Sequence, residues 1–248
     1  MIINKSIFIV LIILSCIFSH EVDDTANWKQ YYRGSYIVNE QHNYGLGGYF
    51  RIKRTTKYTF RDLRGYLHFI KDNSYKKIRY KSSNKFREFN RLYNYSTISI
   101  DQNSKVGVNI RYHGNQGVGF FVNDSNSGHI NAELALAYDI SDYLNDSRKT
   151  SYIKSGLYWD QDFRDYEIKL EVEHYYQITD LIDDINLSRL EFLFEVYFPL
   201  NDELQVILGY ELEQFESSDN KINSSVFLSI GYDDIFNIKR IKKDKYGM

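Results

Sequence analysis

Six histidines, His20, His42, His68, His113, His129 and His174, are the residues best suited to ligate a metal or carry a proton. None stands in a spacing such as H-x-x-x-H, which would set two imidazoles on one helix face. His174 shares the apolar phase of Ile168 and Leu170 and ends its run beside Tyr175 and Tyr176, which suits an interface. Ser, His and a carboxylate or amide can build a lipid-modifying site on a barrel wall. Ser, Asn and Asp are too abundant here for one trio to stand out, so that enzyme is an alternative without assigned residues. Asp160-Gln161-Asp162, and Asp180 with Asp183 and Asp184, offer the oxygen chemistry of a Ca²⁺ loop, but equally that of a solvated acidic turn. Gly45-Leu46-Gly47-Gly48 lacks phosphate-loop spacing and sits inside an alternating run, not before a helix. Cys16 is the single cysteine. A disulfide framework and a thiolate metal site are therefore excluded. No cofactor and no reaction are expected.

Charge makes the stronger constellation. Glu167, Lys169, Glu171, Glu173, Arg189, Glu191, Glu195, Glu211 and Glu213 share the polar phase of neighbouring alternating segments. In one reading they pair with Arg51, Lys53, Arg61, Arg87 and Arg91 and fill a barrel interior, as side chains do in small barrels. In the other, opposed charged walls flank a narrow wet path that selects small polar or charged solutes. A surplus of carboxylates near Glu171, Glu191 and Glu211 would then favour cations.

The elements that must position these residues are strands. In Glu167–Glu173, Ile168, Leu170 and Val172 alternate with four charged residues. That period of two marks a strand between an apolar and a polar phase. Leu190, Phe192, Phe194, Val196 and Phe198 repeat it, as do Leu204, Val206, Leu208, Tyr210 and Leu212, and then Val226, Leu228, Ile230 and Tyr232. Upstream, Ile130, Ala132, Leu134, Leu136 and Tyr138 oppose Asn131, Glu133 and Asp139, while Val106, Val108, Ile110 and Tyr112 oppose Lys105, Asn109 and Arg111. Tyr44, Leu46, Phe50 and Ile52 oppose Arg51 and Lys53, and Trp28–Val38 and Tyr58–Ile70 also read as strands. The stretch 75–97 fits one long strand or two short ones. Turn clusters fall at Asn39-Glu40-Gln41, Asp72-Asn73-Ser74, Asp101-Gln102-Asn103, Asn123 to Gly128 and Ser217 to Asn220, with longer loops at Asn145-Asp146-Ser147 and Asp183-Asp184.

The pattern predicts an all-β, antiparallel up-and-down transmembrane β-barrel of about twelve strands. Runs of ~10–14 residues suit an outer membrane, which tilted strands of ~9–11 residues can cross. Soluble strands average ~5–6 residues. A soluble exported β-sandwich that binds a ligand or envelope partner is the competing class. The 23 Tyr and 16 Phe suit strands and membrane interfaces. A mean hydropathy of −0.49 is too polar for a helical membrane protein but compatible with a barrel that hides polar residues inside.

Lys5, the apolar run Ile7–Leu14 and Ser19 read as a signal peptide over residues 1–19. Ile13-Leu14-Ser15-Cys16 also loosely matches a lipobox, which would lipidate Cys16. Residues 20–236 form the barrel domain and 237–248 a basic tail. The tail, through Lys239, Arg240, Lys242 and Lys243, suits anionic headgroups or a solvated end. The expected partners are outer-membrane lipid, the barrel-assembly machinery and small solutes, not nucleic acid. Charge divides along the chain: residues 20–128 carry 18 Lys+Arg and 9 Asp+Glu, residues 129–236 carry 7 and 23. Strands laid in order would give one basic and one acidic wall, meeting where Lys29 and Arg33 of the first strand close on the last.

Gln116-Gly117-Val118-Gly119-Phe120-Phe121 and Ser155-Gly156-Leu157-Tyr158-Trp159 precede a hairpin running from Phe198-Pro199-Leu200-Asn201-Asp202-Glu203-Leu204 to Gly209-Tyr210-Glu211, and the closing Ser225–Tyr232. This order resembles the bacterial domain-of-unknown-function family that includes the salt-induced outer-membrane protein. The resemblance covers Trp28 to Phe236, most closely from Gly117. It implies an outer-membrane barrel without catalytic residues. The sequence departs from an outer-membrane pattern in two places: the basic tail follows the would-be terminal aromatic Phe236, and Asp234 falls on the lipid-facing phase.

Overall fold

The computed structural model describes residues 26–71, 73–104, 107–125, 127–142, 148–180, 186–216 and 222–235. The expected leader, Phe236, the basic tail, Lys105, Val106, Asp183, Asp184, the Asn145–Ser147 loop and the Ser217–Asn220 turn lie outside them.

Twelve strands follow one another: β1 (Asn27–Asn39), β2 (Tyr44–Thr55), β3 (Thr59–Ile70), β4 (Asn73–Lys85), β5 (Leu92–Asn103), β6 (Val108–Ser125), β7 (Gly128–Ser141), β8 (Arg148–Asp162), β9 (Glu167–Gln177), β10 (Arg189–Pro199), β11 (Leu204–Phe215) and β12 (Ile222–Ile235). Each pairs antiparallel with its sequence neighbours, and β1 pairs with β12, so the sheet closes on itself. Closure removes every free edge. Among the described residues there is no second sheet for Phe192, Phe194 and Phe198 to pack on, which disposes of the sandwich alternative. The 75–97 stretch resolves into β4 and β5, both long enough to span.

Side-chain chemistry fixes the hairpins. The Asn39 carboxamide oxygen accepts from the amides of Gln41 at 3.0 Å and Asn43 at 2.9 Å, turning the chain between β1 and β2. At the other end of the barrel Asn201 holds the amides of Glu203 and Leu204 in the same way, at 2.9 and 2.8 Å. Both are local asparagine devices that replace ladder hydrogen bonds.

Two expectations fail at one place. Asp101-Gln102-Asn103 is the end of β5, not a turn, and Val108 points inward at 2% exposure, not outward with Ile110. The cause is an extra residue in β6: Asp101 registers with Arg111 but Asn103 with Val108. Such a bulge reverses the face of every residue beyond it. The Asp142 carboxylate, at the end of β7, takes the amides of Asn109 and Ile110 at 3.0 and 2.8 Å. Backbone donors next to the bulge are thereby satisfied.

The outer surface is layered. Ile78, Ile98, Val118, Leu134, Leu157, Leu208 and Leu228 form an exposed aliphatic belt. At the end where β1 begins and β12 finishes (the terminal end) lie exposed Phe86, Phe89, Phe163, Tyr166 and Phe198; at the opposite, distal end lie Tyr36, Tyr44, Phe69 and Tyr176. An apolar band between aromatic girdles is the surface a lipid bilayer selects. Among the described residues no helix is long and apolar enough to cross a membrane.

Candidate functional site

The site is the lumen, built by the inward phase of all twelve strands. Its charged groups form three networks. In the terminal half, Arg33 of β1 donates to Glu195 of β10, which Lys169 also approaches at 3.4 Å. Lys169 meets Glu171 at 2.9 Å, Arg64 reaches Glu171 at 3.1 Å, and Asp62 accepts from Arg64 at 2.7 Å and Arg51 at 2.8 Å.

The middle of the lumen is the densest part. Glu173 accepts from Arg79 at 3.1 Å, Lys154 at 2.9 Å, Tyr175 at 2.7 Å and, in a close contact, Tyr158. Lys154 is fully buried, ringed by Tyr95, Tyr158 and Tyr175, and also lies 3.6 Å from Glu133. Glu133 in turn accepts from Lys81 and, at 2.8 Å, from the Tyr93 hydroxyl. A buried carboxylate holds its charge only when paired and hydrogen-bonded in this way.

Toward the distal end, Arg189 stacks on Tyr175 at 4.0 Å and donates to Asp139 at 3.0 Å and Glu191 at 2.8 Å. Asp139 also meets His113, and Lys77 stands 3.7 Å from Glu191. Arg111 lies between Asp101 at 2.9 Å and Glu213 at 3.3 Å. Glu211 accepts from His68 at 3.2 Å and from the Ser225 hydroxyl at 2.7 Å. The His113–Asp139 pair is thus a buried part of this network, away from the lipid face, and His174 on the outer face pairs with Glu216 at 3.3 Å.

The structure therefore brings together eight of the nine charged positions singled out from sequence: Lys169, Glu171, Glu173, Arg189, Glu191, Glu195, Glu211 and Glu213. Glu167 stays at the terminal rim, registered against Asp162, outside the three networks. The expected partners were wrong. Arg51 serves Asp62 on its own wall, and Lys53 makes no ion pair with any of the nine among the described residues. Arg61 points the other way and bonds the carbonyls of Phe60 and Ser83, and Arg87 and Arg91 lie in the connection between β4 and β5. The true partners, among them Arg33, Arg64, Lys77, Arg79 and Arg111, lie on the inward phase of β1, β3, β4 and β6. Glu133, Asp139, Asp62, Asp101 and Lys154 were also missed, although each stands in the polar phase of its own strand.

Summed over the lumen, the networks balance, and the carboxylates outnumber the cations only locally, around Glu171, Glu191 and Glu211. With histidines neutral, the three networks and Glu211 hold ten cations (Arg33, Arg51, Arg64, Lys77, Arg79, Lys81, Arg111, Lys154, Lys169, Arg189) and ten carboxylates (Asp62, Asp101, Glu133, Asp139, Glu171, Glu173, Glu191, Glu195, Glu211, Glu213). Seven of these cations come from β1–β6 and eight of the carboxylates from β7–β12. The division of charge along the chain becomes a set of bonds across the lumen.

Three apolar clusters complete the filling: Ile37, Ile207 and Phe227; Tyr93, Tyr95 and Ala135; and Val108, Ala137, Tyr152, Tyr175, Leu187 and Phe215. A vestibule of about 130 Å³ stays open. Asn73, Ser74 and Asn223 place its mouth at the distal end. Arg33, Arg79, Glu171 and Glu173 line its inner end.

No protein-family model matches the chain, and no curated protein matches its sequence. Solved structures do match. The NanC porin superposes with a TM-score of 0.57 at 8% identity, over 82% of this chain and 98% of the porin. An outer membrane channel from Pseudomonas putida F1 gives 0.50 at 10% identity, over 87% and 97%. The fold is that of outer-membrane barrels. At such identities the likeness extends to the fold and no further.

Proposed function

We propose that the chain is an outer-membrane barrel that admits small polar or charged solutes through a narrow, normally closed path. One observation carries this reading: the distal vestibule ends on Glu171, Arg79 and Glu173, and the pairs Arg64–Glu171 and Arg79–Glu173 bond opposite walls of the lumen there. A purely structural barrel needs no hydrated cavity reaching to mid-lumen. A path that opens by parting ion pairs does, and poorly screened charges there make the parting costly and selective. The fold shared with a porin and an outer membrane channel supports the class, as does the aromatic-bounded apolar belt. The leader over 1–19 would supply export, and assembly machinery and lipid would be its partners. The resemblance to the salt-induced outer-membrane protein family rests on the quoted residues.

Planar-bilayer recording of the refolded chain tests the channel. Small, infrequent current steps are expected from the native protein. The paired variant Arg79→Gln/Glu173→Gln, which removes both partners and so orphans neither from the other, should raise steady conductance severalfold. Silence from both proteins across the voltage range would leave a plugged structural barrel as the function. Cell fractionation with heat-modifiable gel mobility tests the location, and recovery as a soluble periplasmic protein would overturn it.

A further inference from the structure

The vestibule has two walls of opposite sign. β3 and β4 bring His68, Lys77 and Arg79 to one side; β10 and β11 bring Glu191 and Glu211 to the other. The surrounding lumen is balanced between cations and carboxylates. The lining itself holds three cations, Arg33, Lys77 and Arg79, and five carboxylates, Glu171, Glu173, Glu191, Glu211 and Glu213, so the cavity combines a transverse field with a modest surplus of negative charge. A monovalent anion gains from one wall and loses at the other. A molecule that carries both charges, aligned across the cavity, gains from both.

Beside the His68–Glu211 contact, the walls meet in the loosest ion pair of the three networks. Lys77 Nζ stands 3.7 Å from Glu191, beyond hydrogen-bond range. Glu191 keeps a second cation, Arg189, at 2.8 Å. Parting Lys77 from Glu191 therefore strands neither group when a ligand supplies a carboxylate to one and an ammonium to the other. By contrast, Glu173 below is held by four donors, among them Arg79 and Lys154. A solute entering from the distal mouth is thus stopped at that level and held beside Lys77.

We infer that the distal vestibule is a binding site for small zwitterions, with the ligand's carboxylate on Lys77 and its ammonium on Glu191. This deepens the solute-path reading and rests on it for the direction of entry, but binding itself requires no conduction.

The test uses the full folded barrel in detergent micelles and three probes of similar size: 4-aminobutyrate, butyrate and butylammonium. Binding is read by isothermal titration calorimetry. The expected result is 4-aminobutyrate affinity at least tenfold above that of either singly charged probe. Lys77→Gln and Glu191→Gln should each cut that affinity severalfold. Equal affinity for all three probes, or no binding of 4-aminobutyrate to native barrel, would overturn the inference, and neither outcome depends on a variant folding. The two proposals fail separately. Conductance without zwitterion preference removes the site and leaves the channel; zwitterion binding to a silent barrel removes the channel and leaves the site.

Discussion

Glu173 and Glu191 face each other directly across the β9–β10 ladder. They are the same residue, on the same face, and their like charges repel. The lumen answers that repulsion in two ways. Glu173, 4% exposed, lies at the inner end of the vestibule, held among Arg79, Lys154, Tyr158 and Tyr175. Glu191 lines the vestibule with its side chain 21% exposed, bonded to Arg189 and only loosely approached by Lys77. One carboxylate is a knot that ties walls together; the other is a group left available to a solute. The lesson is that inward phase alone does not define a role. Depth along the barrel and the number of donors do.

Glu173→Gln should break the knot and gives the largest effect. It removes the carboxylate that holds Arg79 and leaves Lys154 and Lys81, both behind the vestibule wall, with Glu133 alone. Removing one partner of a buried pair costs about 3–5 kcal/mol, chiefly through the charge left behind. Urea titration of the barrel folded in bilayers measures it. A cost near that of an exposed pair would mean that the middle of the lumen is hydrated, and the contrast with Glu191 would collapse.

A substitution on the other face of the wall calibrates that figure. Leu134, exposed in the middle of the aliphatic belt, should cost about 2–4 kcal/mol when replaced by Arg, provided lipid surrounds it. The same titration reads it, and a negligible cost would show that the belt does not meet a bilayer. Leu170 and Phe194, on the outward phase of β9 and β10, should behave alike. Arg at Glu171 is no mild control, despite its polar phase, because Lys169 and Arg64 already flank that position.

The two faces of each strand differ in how far their roles are written in neighbouring residues. The outward phase is written locally: Leu134, Leu170 and Phe194 can be assigned to it from their own strands, because every second residue meets lipid. The strand count and closed architecture follow from the same local pattern. Pairing inside the lumen is not local. Arg33 and Glu195 are 162 residues apart, Arg64 and Glu171 107, and Arg79 and Glu173 94. Which of them meet depends on the stagger with which the sheet closes, and alternation carries no stagger. Hence basic residues near turns, such as Arg87 and Arg91, looked as suitable as Arg64 and Arg79. Tyrosine misled for a related reason. Its abundance suggested interfaces, yet Tyr93, Tyr95, Tyr152, Tyr158 and Tyr175 are buried inside, where Tyr93, Tyr158 and Tyr175 donate to carboxylates. The bulge in β6 has no signature in alternation either, so Val108 was assigned to the wrong face.

The smallest effect is expected at the other member of the facing pair. Glu191→Gln removes one charge from a site open to the vestibule. Arg189, which loses it, retains Asp139 at 3.0 Å and its stack on Tyr175. Lys77 is 13% exposed and can turn toward the open cavity, where water screens it. Relief of the repulsion with Glu173 works in the opposite direction, since that neighbour no longer faces a like charge across the ladder. The sum should lie between no change and a loss of about 1 kcal/mol, the range of solvent-exposed pairs. The two glutamine variants make a matched experiment: same substitution, same register level, neighbouring strands. A gap of about 2 kcal/mol or more in the bilayer titration would confirm a tightly held knot beside a loosely held carboxylate. Equal losses would mean that both carboxylates serve one continuous plug, and no part of the lumen would then be reserved for a solute.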